Sequence, residues 1–223
     1  MQQEKTGFLL VDKPMDWTSH DVVGYLRGSL KTKRIGHAGT LDPFATGLLI
    51  VGVGRDATKR LDEFKGMEKE YIAEITLGAT SDTQDRTGTI VNGNSDSIPT
   101  SEDISVVLSS FLGKQTQIPP MFSAKKVKGK KLYELARKGE EVERKPVDID
   151  VSSLELISYD YPTLEVRFTV STGTYIRTLA HDIGEKLGIG AYCHELRRTK
   201  IGEYLVENAK DPKIIDETDI FAL

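Results

Sequence analysis

The sequence lacks the features of a secreted, metal-binding or membrane-spanning protein. It has one cysteine in 223 residues, Cys193, so no internal disulfide or cysteine-rich metal site can form. No apolar run approaches the ~20 residues that cross a bilayer. The N-terminal segment Met-Gln-Gln-Glu-Lys lacks the basic and apolar regions of a signal peptide. These absences predict a globular protein of the reducing cytoplasm with no membrane partner.

An excess of charge of either sign is also missing. The chain has 30 basic and 34 acidic residues, a net charge of −4, and that balance alone argues against binding a phosphate backbone. The distribution is uneven, however. Residues 22–41 hold four cations and no acid, and residues 125–138 hold seven cations and one acid. Such clusters suit local contact with a polyanion, although solvated helix faces carry similar charges.

The hydrophobic pattern predicts a mixture of strands and helices within one large domain. Strands are expected at residues 7–11, 48–53, 68–77, 147–159 and 164–170. Helices are expected after Ser19, between a Thr100–Asp103 capping box and Gly113, from residue 132 to Gly139, and between a cap in residues 171–174 and Gly188. The polar loop 81–88 carries acids that are expected to orient basic residues, in a spacing unlike a calcium-binding EF-hand loop.

Residues 34–59 contain the most unusual pattern in the chain. Glycines at positions 36, 39, 47 and 52 surround a single carboxylate, Asp42, and Pro43 follows it. The proline biases Asp42 away from helical backbone, so its side chain should be displayed on an irregular loop next to a buried strand. An ordinary Asp-Pro turn is the simpler interpretation.

Four segments of the chain resemble one protein family, in that family's order. Residues 36–49, Gly-His-Ala-Gly-Thr-Leu-Asp-Pro-Phe-Ala-Thr-Gly-Leu-Leu, closely resemble the catalytic motif of the TruB family of tRNA pseudouridine synthases. Residues 69–71, 173–179 and 195–199 resemble three further motifs, and the likeness covers roughly residues 7 to 205. Because four separated motifs agree, the resemblance implies both a fold and an activity.

The implied fold is α+β, with a mixed, largely antiparallel central sheet flanked by helices. Residues 1–223 are expected to form one catalytic domain, without a separate C-terminal RNA-binding domain. The segment Pro-Pro-Met-Phe-Ser-Ala-Lys at residues 119–125 resembles the start of a family insertion that closes over RNA. A thumb-like insertion is therefore expected at about residues 118–146, where lysines would contact phosphates without reading bases.

The resemblance assigns roles to individual residues. Asp42 matches the catalytic aspartate, as nucleophile or as base, and Arg177 matches the arginine that pairs with it. Tyr71 matches a tyrosine that stacks on the target base and assists catalysis. The remaining candidates are His37, Tyr175 and Leu196 around the base, Lys125, Lys126 and Lys128 on the RNA backbone, and Lys13, which either contacts RNA or braces the Asp42 loop. Plain alternatives stand beside several of these: a turn-stabilising His37, and core packing for Tyr71 and Leu196.

The implied activity is isomerisation of uridine 55 in the T-arm loop of tRNA to pseudouridine, by a monomer, after the base is flipped out. The reaction changes no oxidation state, so no cofactor or metal is expected. A non-catalytic RNA-binding or tRNA-folding protein on the same scaffold is the main alternative. A phosphate-binding enzyme is a weaker one, because the glycine loop lacks the Gly-Lys-Ser/Thr ending of a P-loop.

Overall fold

A computed structural model describes residues 6–93, 98–123, 125–127, 129–136 and 138–222. Its strands are β1 (Gly7–Lys13), β2 (Ile35–Ala38), β3 (Thr46–Val53), β4 (Lys69–Leu77), β5 (Ala79–Ser81), β6 (Ile90–Asn92), β7 (Gly113–Gln117), β8 (Lys126–Val127), β9 (Lys130–Lys131), β10 (Val147–Asp160), β11 (Thr163–Val170), β12 (Ala191–Ile201) and β13 (Tyr204–Leu205). Its α-helices are α1 (Ser19–Ser29), α2 (Gly54–Arg60), α3 (Asp62–Lys65), α4 (Ser101–Ser109), α5 (Leu132–Ala136) and α6 (Ile176–Leu187). Short 3₁₀ turns follow at Val206–Asn208, Pro212–Ile214 and Glu217–Asp219.

These elements form a mixed, mostly antiparallel sheet with flanking helices, which confirms the expected α+β class. The chain separates into two compact units. The first contains Met1–Ile72 and Leu196–Leu223, and the second contains Ala73–Glu195. Among the described residues no helix has the length and apolarity required to span a membrane. The expectation of a single catalytic domain remains a prediction.

The first unit is built around β3, which is buried on both faces as its continuous apolar run predicts. Leu49, Val51 and Val53 pack with the apolar side of α1, and Leu48 and Ile50 pack with residues of α2 and α3. β3 pairs antiparallel with β1 and β2 and parallel with β12, where Arg197 lies opposite Thr46. Two elements that flank the Asp42 loop, β2 and β3, are therefore fixed in the core of this unit.

The second unit contains the long antiparallel pair β10 and β11, with β7 on the other edge of β10. Alternate residues of β11 are buried, as the sequence predicts, and the apolar sides of α4 and α6 are buried as well. α4 contacts both α6 and β10. α6, whose first turn carries Arg177, is therefore held in the core of this unit.

Three expectations about helix ends were wrong. α1 is capped by Thr18, not Ser19, because Thr18 and Asp21 form the capping box. α4 ends with Ser110 as its C-cap, and Gly113, at φ +87°, begins β7 instead. Residues 171–174 do not cap α6: Tyr175 occupies the N-cap position, and a side chain of β7 contacts its backbone.

Candidate active site

Asp42 lies half-buried in the loop between β2 and β3, as the sequence predicts. The loop is held by a turn in which the Ala45 N–H donates to the Asp42 carbonyl at 3.1 Å. The preceding residue, Leu41, donates its N–H to the buried Ser19 hydroxyl at 2.9 Å. The backbone on both sides of the carboxylate is thus fixed by hydrogen bonds.

Lys13 braces this loop, which is one of its two predicted roles. Its side chain is fully buried, and its ammonium donates to the carbonyls of Pro14 (2.9 Å), Trp17 (2.6 Å) and Pro43 (3.2 Å). Burial lowers the pKa of Lys13 from 10.5 to about 8, although the negative charge of Asp42 opposes the shift. An ammonium has three N–H donors, so these three carbonyls satisfy all of them.

Arg198 is a second buried cation beside the loop, and the sequence analysis did not single it out. Its Nε donates to the Leu48 carbonyl at 2.7 Å and its Nη2 to the Gly39 carbonyl at 3.2 Å. Gly47, at φ +102°, packs so closely that a Cβ there would lie 2.3 Å from the Arg198 carbonyl oxygen. The only signal in the sequence is its place in the 195–199 motif.

His37 lies half-buried on β2, and its ring meets the ring of His20 edge-on, with centroids 5.3 Å apart. Within the described residues its buried Nδ1 has no hydrogen-bond partner. Burial, the neighbouring His20 and the charge of Arg198 lower the pKa of His37 to about 4. The imidazole is therefore a neutral, flat ring at physiological pH.

Two further predicted residues belong to the first unit. Tyr71 is half-buried on β4, and Leu196 is buried on β12. The strands around them are tied by a hydrogen bond of 2.7 Å from the Thr199 hydroxyl to the Glu70 carboxylate. Partial exposure leaves part of the Tyr71 ring available for a ligand, whereas Leu196 is also well placed for ordinary core packing.

Arg177 lies in the first turn of α6 in the second unit and is 3% exposed. Its Nη1 donates to the Thr83 carbonyl at 2.8 Å and to Oδ2 of the buried Asp85 at 3.2 Å. Its Nη2 donates to the Phe122 carbonyl at 2.8 Å. The expectation that loop 81–88 orients a basic residue is confirmed, and the pairing of Arg177 with Asp42 remains a prediction.

Tyr175 is held by a residue that the sequence analysis did not identify as functional. The buried Gln117 accepts from the Tyr175 N–H at 2.8 Å and donates to the Tyr175 carbonyl at 3.0 Å. The amide therefore fixes the backbone of the N-cap residue itself, on the N–H that the N3 side chain of a capping box would otherwise bind. Nothing in the sequence joins these two residues, because they lie 58 positions apart.

The basic segment contains a short helix, α5, as predicted, with Leu132 and Leu135 buried beneath it. Lys125 is half-buried, whereas Lys130 and Lys138 are exposed. The side chain of Lys126 and the whole of Lys128 lie outside the described residues. Over the described ranges, no cluster of three His, Cys, Asp or Glu residues could hold a metal ion.

The sequence matches known proteins over nearly its whole length. Residues 27–176 match the N-terminal domain of TruB family pseudouridylate synthase, and this match alone covers more than half of the chain. The chain belongs to the TruB family. Residues 177–218 match the tRNA pseudouridylate synthase B C-terminal domain. A pseudouridylate synthase is an isomerase, so this TruB family member is an enzyme of that class.

Curated relatives agree with this membership. The tRNA pseudouridine synthase B of Protochlamydia amoebophila is 52% identical over 202 residues, which are 91% of this chain and 76% of that protein. The protein of the same name from Chlamydia abortus is 47% identical over 215 residues, 96% of this chain and 91% of its own length. TruB family membership thus rests on long alignments as well as on motifs.

Solved structures support the fold. A chain of a Cbf5-Nop10-Gar1 complex matches with a TM-score of 0.71 at 30% identity over 91% of this TruB family chain. A chain of an H/ACA RNP bound to a substrate RNA containing 2′-deoxyuridine matches with a TM-score of 0.68 at 27% identity, also over 91%. The chain spans about half the length of each, 51% and 50%.

Proposed function

We propose that this enzyme converts uridine 55 in the T-arm loop of tRNA to pseudouridine. The observation that carries the proposal is the Asp42 loop, in which the motif carboxylate is half-buried and its backbone is fixed on both sides. A rigid, partly dry carboxylate suits attack on a sugar or removal of a proton from it. The related proteins named tRNA pseudouridine synthase B support tRNA as the substrate.

The chemistry is an isomerisation and needs no redox partner. The N1–C1′ bond of uridine breaks, the uracil turns, and a C5–C1′ bond forms in its place. The proton on C5 leaves and N1 gains one, so atoms and electrons balance without a cofactor. In our proposal Asp42 acts at the sugar, as nucleophile or base, and Tyr71 stacks on the uracil and assists removal of the C5 proton.

The other predicted residues receive supporting roles in the proposal. His37 fills the space left by the flipped base, which suits a neutral flat ring whose pKa is about 4. Leu196 and Tyr175 contact the uracil. Arg177 keeps the Asp42 carboxylate ionised by charge pairing. Each of these roles rests on the family resemblance and on the burial of the side chain.

The basic segment is proposed to bind the tRNA backbone. Lys125, Lys126 and Lys128 would contact phosphates of the T arm and set the register of the RNA. The thumb-like insertion at about residues 118–146 would order over the bound arm and exclude water from the base. We further propose that the enzyme acts in the cytoplasm as a monomer.

Replacing Asp42 with Asn tests the proposal directly. We expect pseudouridine formation to fall by roughly 10³-fold or more, the scale seen when a catalytic nucleophile is removed. Binding of tRNA should persist, because asparagine has nearly the same size as aspartate and every other contact with the RNA is kept. The measurements are single-turnover release of tritium from 5-tritiated uridine in a T-arm transcript and tRNA affinity by filter binding.

Asp16→Asn is the matched control. Asp16 is exposed at φ +63°, a conformation that asparagine also adopts readily, and its backbone N–H donates to the Pro43 carbonyl of the same loop. This variant should retain near-normal activity. Full activity of Asp42→Asn would remove the proposed role of Asp42. A wild-type protein that binds tRNA but forms no product would instead favour the non-catalytic RNA-binding alternative.

A further inference from the structure

We propose that Arg198 is a positioning residue for the Asp42 carboxylate, a role that rests on the proposed function of Asp42. The Asp42 loop begins at Gly39 and returns to β3 through Gly47 and Leu48. Arg198 contacts both of its ends. Its side chain donates to the carbonyls of Gly39 and Leu48, and its backbone pairs with Gly47 in the parallel contact between β12 and β3.

The electrostatic setting of Arg198 differs from that of an ordinary buried arginine. Arg198 is 1% exposed, and among the described residues its side chain donates to carbonyls and forms no ion pair with an acid. Burying a cation without an acid is costly, and well-packed apolar side chains often replace buried ions without loss of stability. A charged side chain at this position is better explained by the two loop carbonyls that it binds than by a gain in stability.

A guanidinium is suited to this task because its donors lie in a rigid plane. Nε and Nη2 reach two carbonyls that are nine residues apart in sequence, at Gly39 and Leu48. A lysine has a single nitrogen on a flexible stem, so it cannot maintain both contacts at once. The separation between the two ends of the loop, and with it the height of Asp42 above the sheet, is therefore set by one planar group.

The role predicts a particular kinetic signature. Displacement of a reacting group by about 1 Å can lower a rate by roughly 100-fold. Arg198 itself is buried and should contact no RNA, so its loss should affect the chemical step and leave tRNA affinity unchanged. A merely structural role would lower the melting temperature and leave the rate of the folded enzyme intact.

The test compares Arg198→Lys with Arg197→Lys. Arg197 is the adjacent residue and is partly exposed. Its Nη1 and Nη2 donate to the two carboxylate oxygens of Asp12 at 3.0 and 2.7 Å. We expect Arg198→Lys to lower the single-turnover rate roughly 10- to 100-fold, with tRNA dissociation constants within about twofold of wild type. Arg197→Lys should remain within about threefold of the wild-type rate, the scale of a partly exposed ion pair. A wild-type rate for folded Arg198→Lys would overturn the proposal, and so would a loss confined to tRNA binding.

A second variant leaves Arg198 in place and avoids its contribution to folding. Replacing Thr40 with its α-hydroxy analogue turns the Gly39–Thr40 peptide bond into an ester, which makes the Gly39 carbonyl a weaker acceptor. Thr40 is exposed, so the change leaves the core packing intact. We expect the single-turnover rate to fall at unchanged tRNA affinity, and an unchanged rate would overturn the proposal even if Arg198→Lys did not fold.

The two proposals fail separately. If Asp42→Asn were active, the proposed role of Asp42 would be wrong, whatever the Arg198 variants do. An inactive Asp42→Asn variant, together with a fully active folded Arg198→Lys or ester variant, would remove only the positioning role. Both series use the full chain and the same tritium-release assay.

Discussion

The two units each contain a buried arginine, and their surroundings differ. Arg177, 3% exposed, donates to the buried carboxylate of Asp85 as well as to two carbonyls. Arg198, 1% exposed, donates to carbonyls, and the described residues give it no acid. For Arg177 the negative charge of Asp85 compensates the loss of hydration. For Arg198 the dipoles of backbone carbonyls do so. The comparison separates an arginine that is held by an acid from one that, in our proposal, sets the geometry of a loop.

Removing the acid beneath Arg177 should have the largest effect on stability. Asp85→Ala leaves a buried cation without this carboxylate and deletes the acceptor of the Thr83 hydroxyl and the Thr87 N–H. We expect the free energy of unfolding to fall by about 3–5 kcal/mol, measured by urea denaturation. Glu155→Ala is the control, because its ion pair with Arg167 is exposed and should contribute at most about 1 kcal/mol. If both variants lost the same free energy of unfolding, Asp85 would not be the main group that offsets the buried charge of Arg177.

The contact between Gln117 and the Tyr175 backbone, also in the second unit, should contribute less to the free energy of unfolding than Asp85 does. In Gln117→Glu the carboxylate still accepts from the Tyr175 N–H but can no longer donate to the Tyr175 carbonyl. The Tyr175 carbonyl keeps its bond from the Leu179 N–H, but the second oxygen of the new carboxylate is buried with no donor opposite it among the described residues. We expect this to lower the free energy of unfolding by about 1–3 kcal/mol. Gln115→Glu makes the same change on β7 at a half-buried position, and a loss as large there would contradict the special role of Gln117.

Lys13, a carbonyl-bound cation beside the Asp42 loop, predicts a pH effect. Below its pKa of about 8 the ammonium holds three carbonyls. Above that pH the amine has two N–H groups, so the hold on Pro43 weakens. We expect the single-turnover rate to fall roughly two- to tenfold between about pH 7 and 9.5, the scale of one hydrogen bond. Lys13→Arg should abolish the decline, because arginine stays charged.

Stability should change in the opposite direction over the same range. The unfolded chain keeps the Lys13 proton up to its ordinary pKa of 10.5, whereas the folded chain loses it near 8. The unfolded state therefore binds more protons between these values, and the free energy of unfolding rises with pH there. Lys69, whose pKa burial also lowers to about 8, bonds carbonyls of residues 64–67, away from the loop. A rate decline abolished by Lys69→Arg would contradict the assignment to Lys13.

The cations of the basic segment should show the smallest effect per residue. Changing Lys125, Lys126 and Lys128 to Ala should weaken tRNA binding and reduce the slope of log affinity against log salt by about 0.7–0.9 for each phosphate that the variant no longer neutralises. Lys114→Ala, an exposed position of β7 that precedes the segment, should leave the slope unchanged. If the triple variant keeps the wild-type slope, the basic segment is a solvated face.

Local patterns predicted much of the fold. The apolar run that became β3, the alternation of β4 and β11, and the Thr100–Asp103 capping box are confirmed, because each depends on neighbours in sequence. The end of α4 was misplaced because Gly113 is the first residue of β7. The positive φ of a glycine fits that position as well as it fits the end of a helix. Helix ends are decided by small differences between adjacent hydroxyls, as Thr18 and Ser19 show.

The site was only partly predictable for a physical reason. Asp42, His37, Tyr71 and Arg177 stand in recognisable motifs, so the family resemblance identifies them. The contacts that hold the site together cannot be read from motifs: the donors of Arg198 reach carbonyls 150 and 159 positions away, and Gln117 reaches Tyr175 across 58. Backbone carbonyls belong to every residue type, so no sequence pattern marks them as partners.

The parallel contact between residues 46–47 and 197–198 has a consequence for biosynthesis. The first unit is assembled from both ends of the chain, so the ribosome delivers Asp42 long before the strand that carries Arg198. A nascent chain therefore holds its motif carboxylate on an unfinished sheet until β12 has been synthesised and pairs with β3. The positioning contact that we propose for Arg198 cannot form before then.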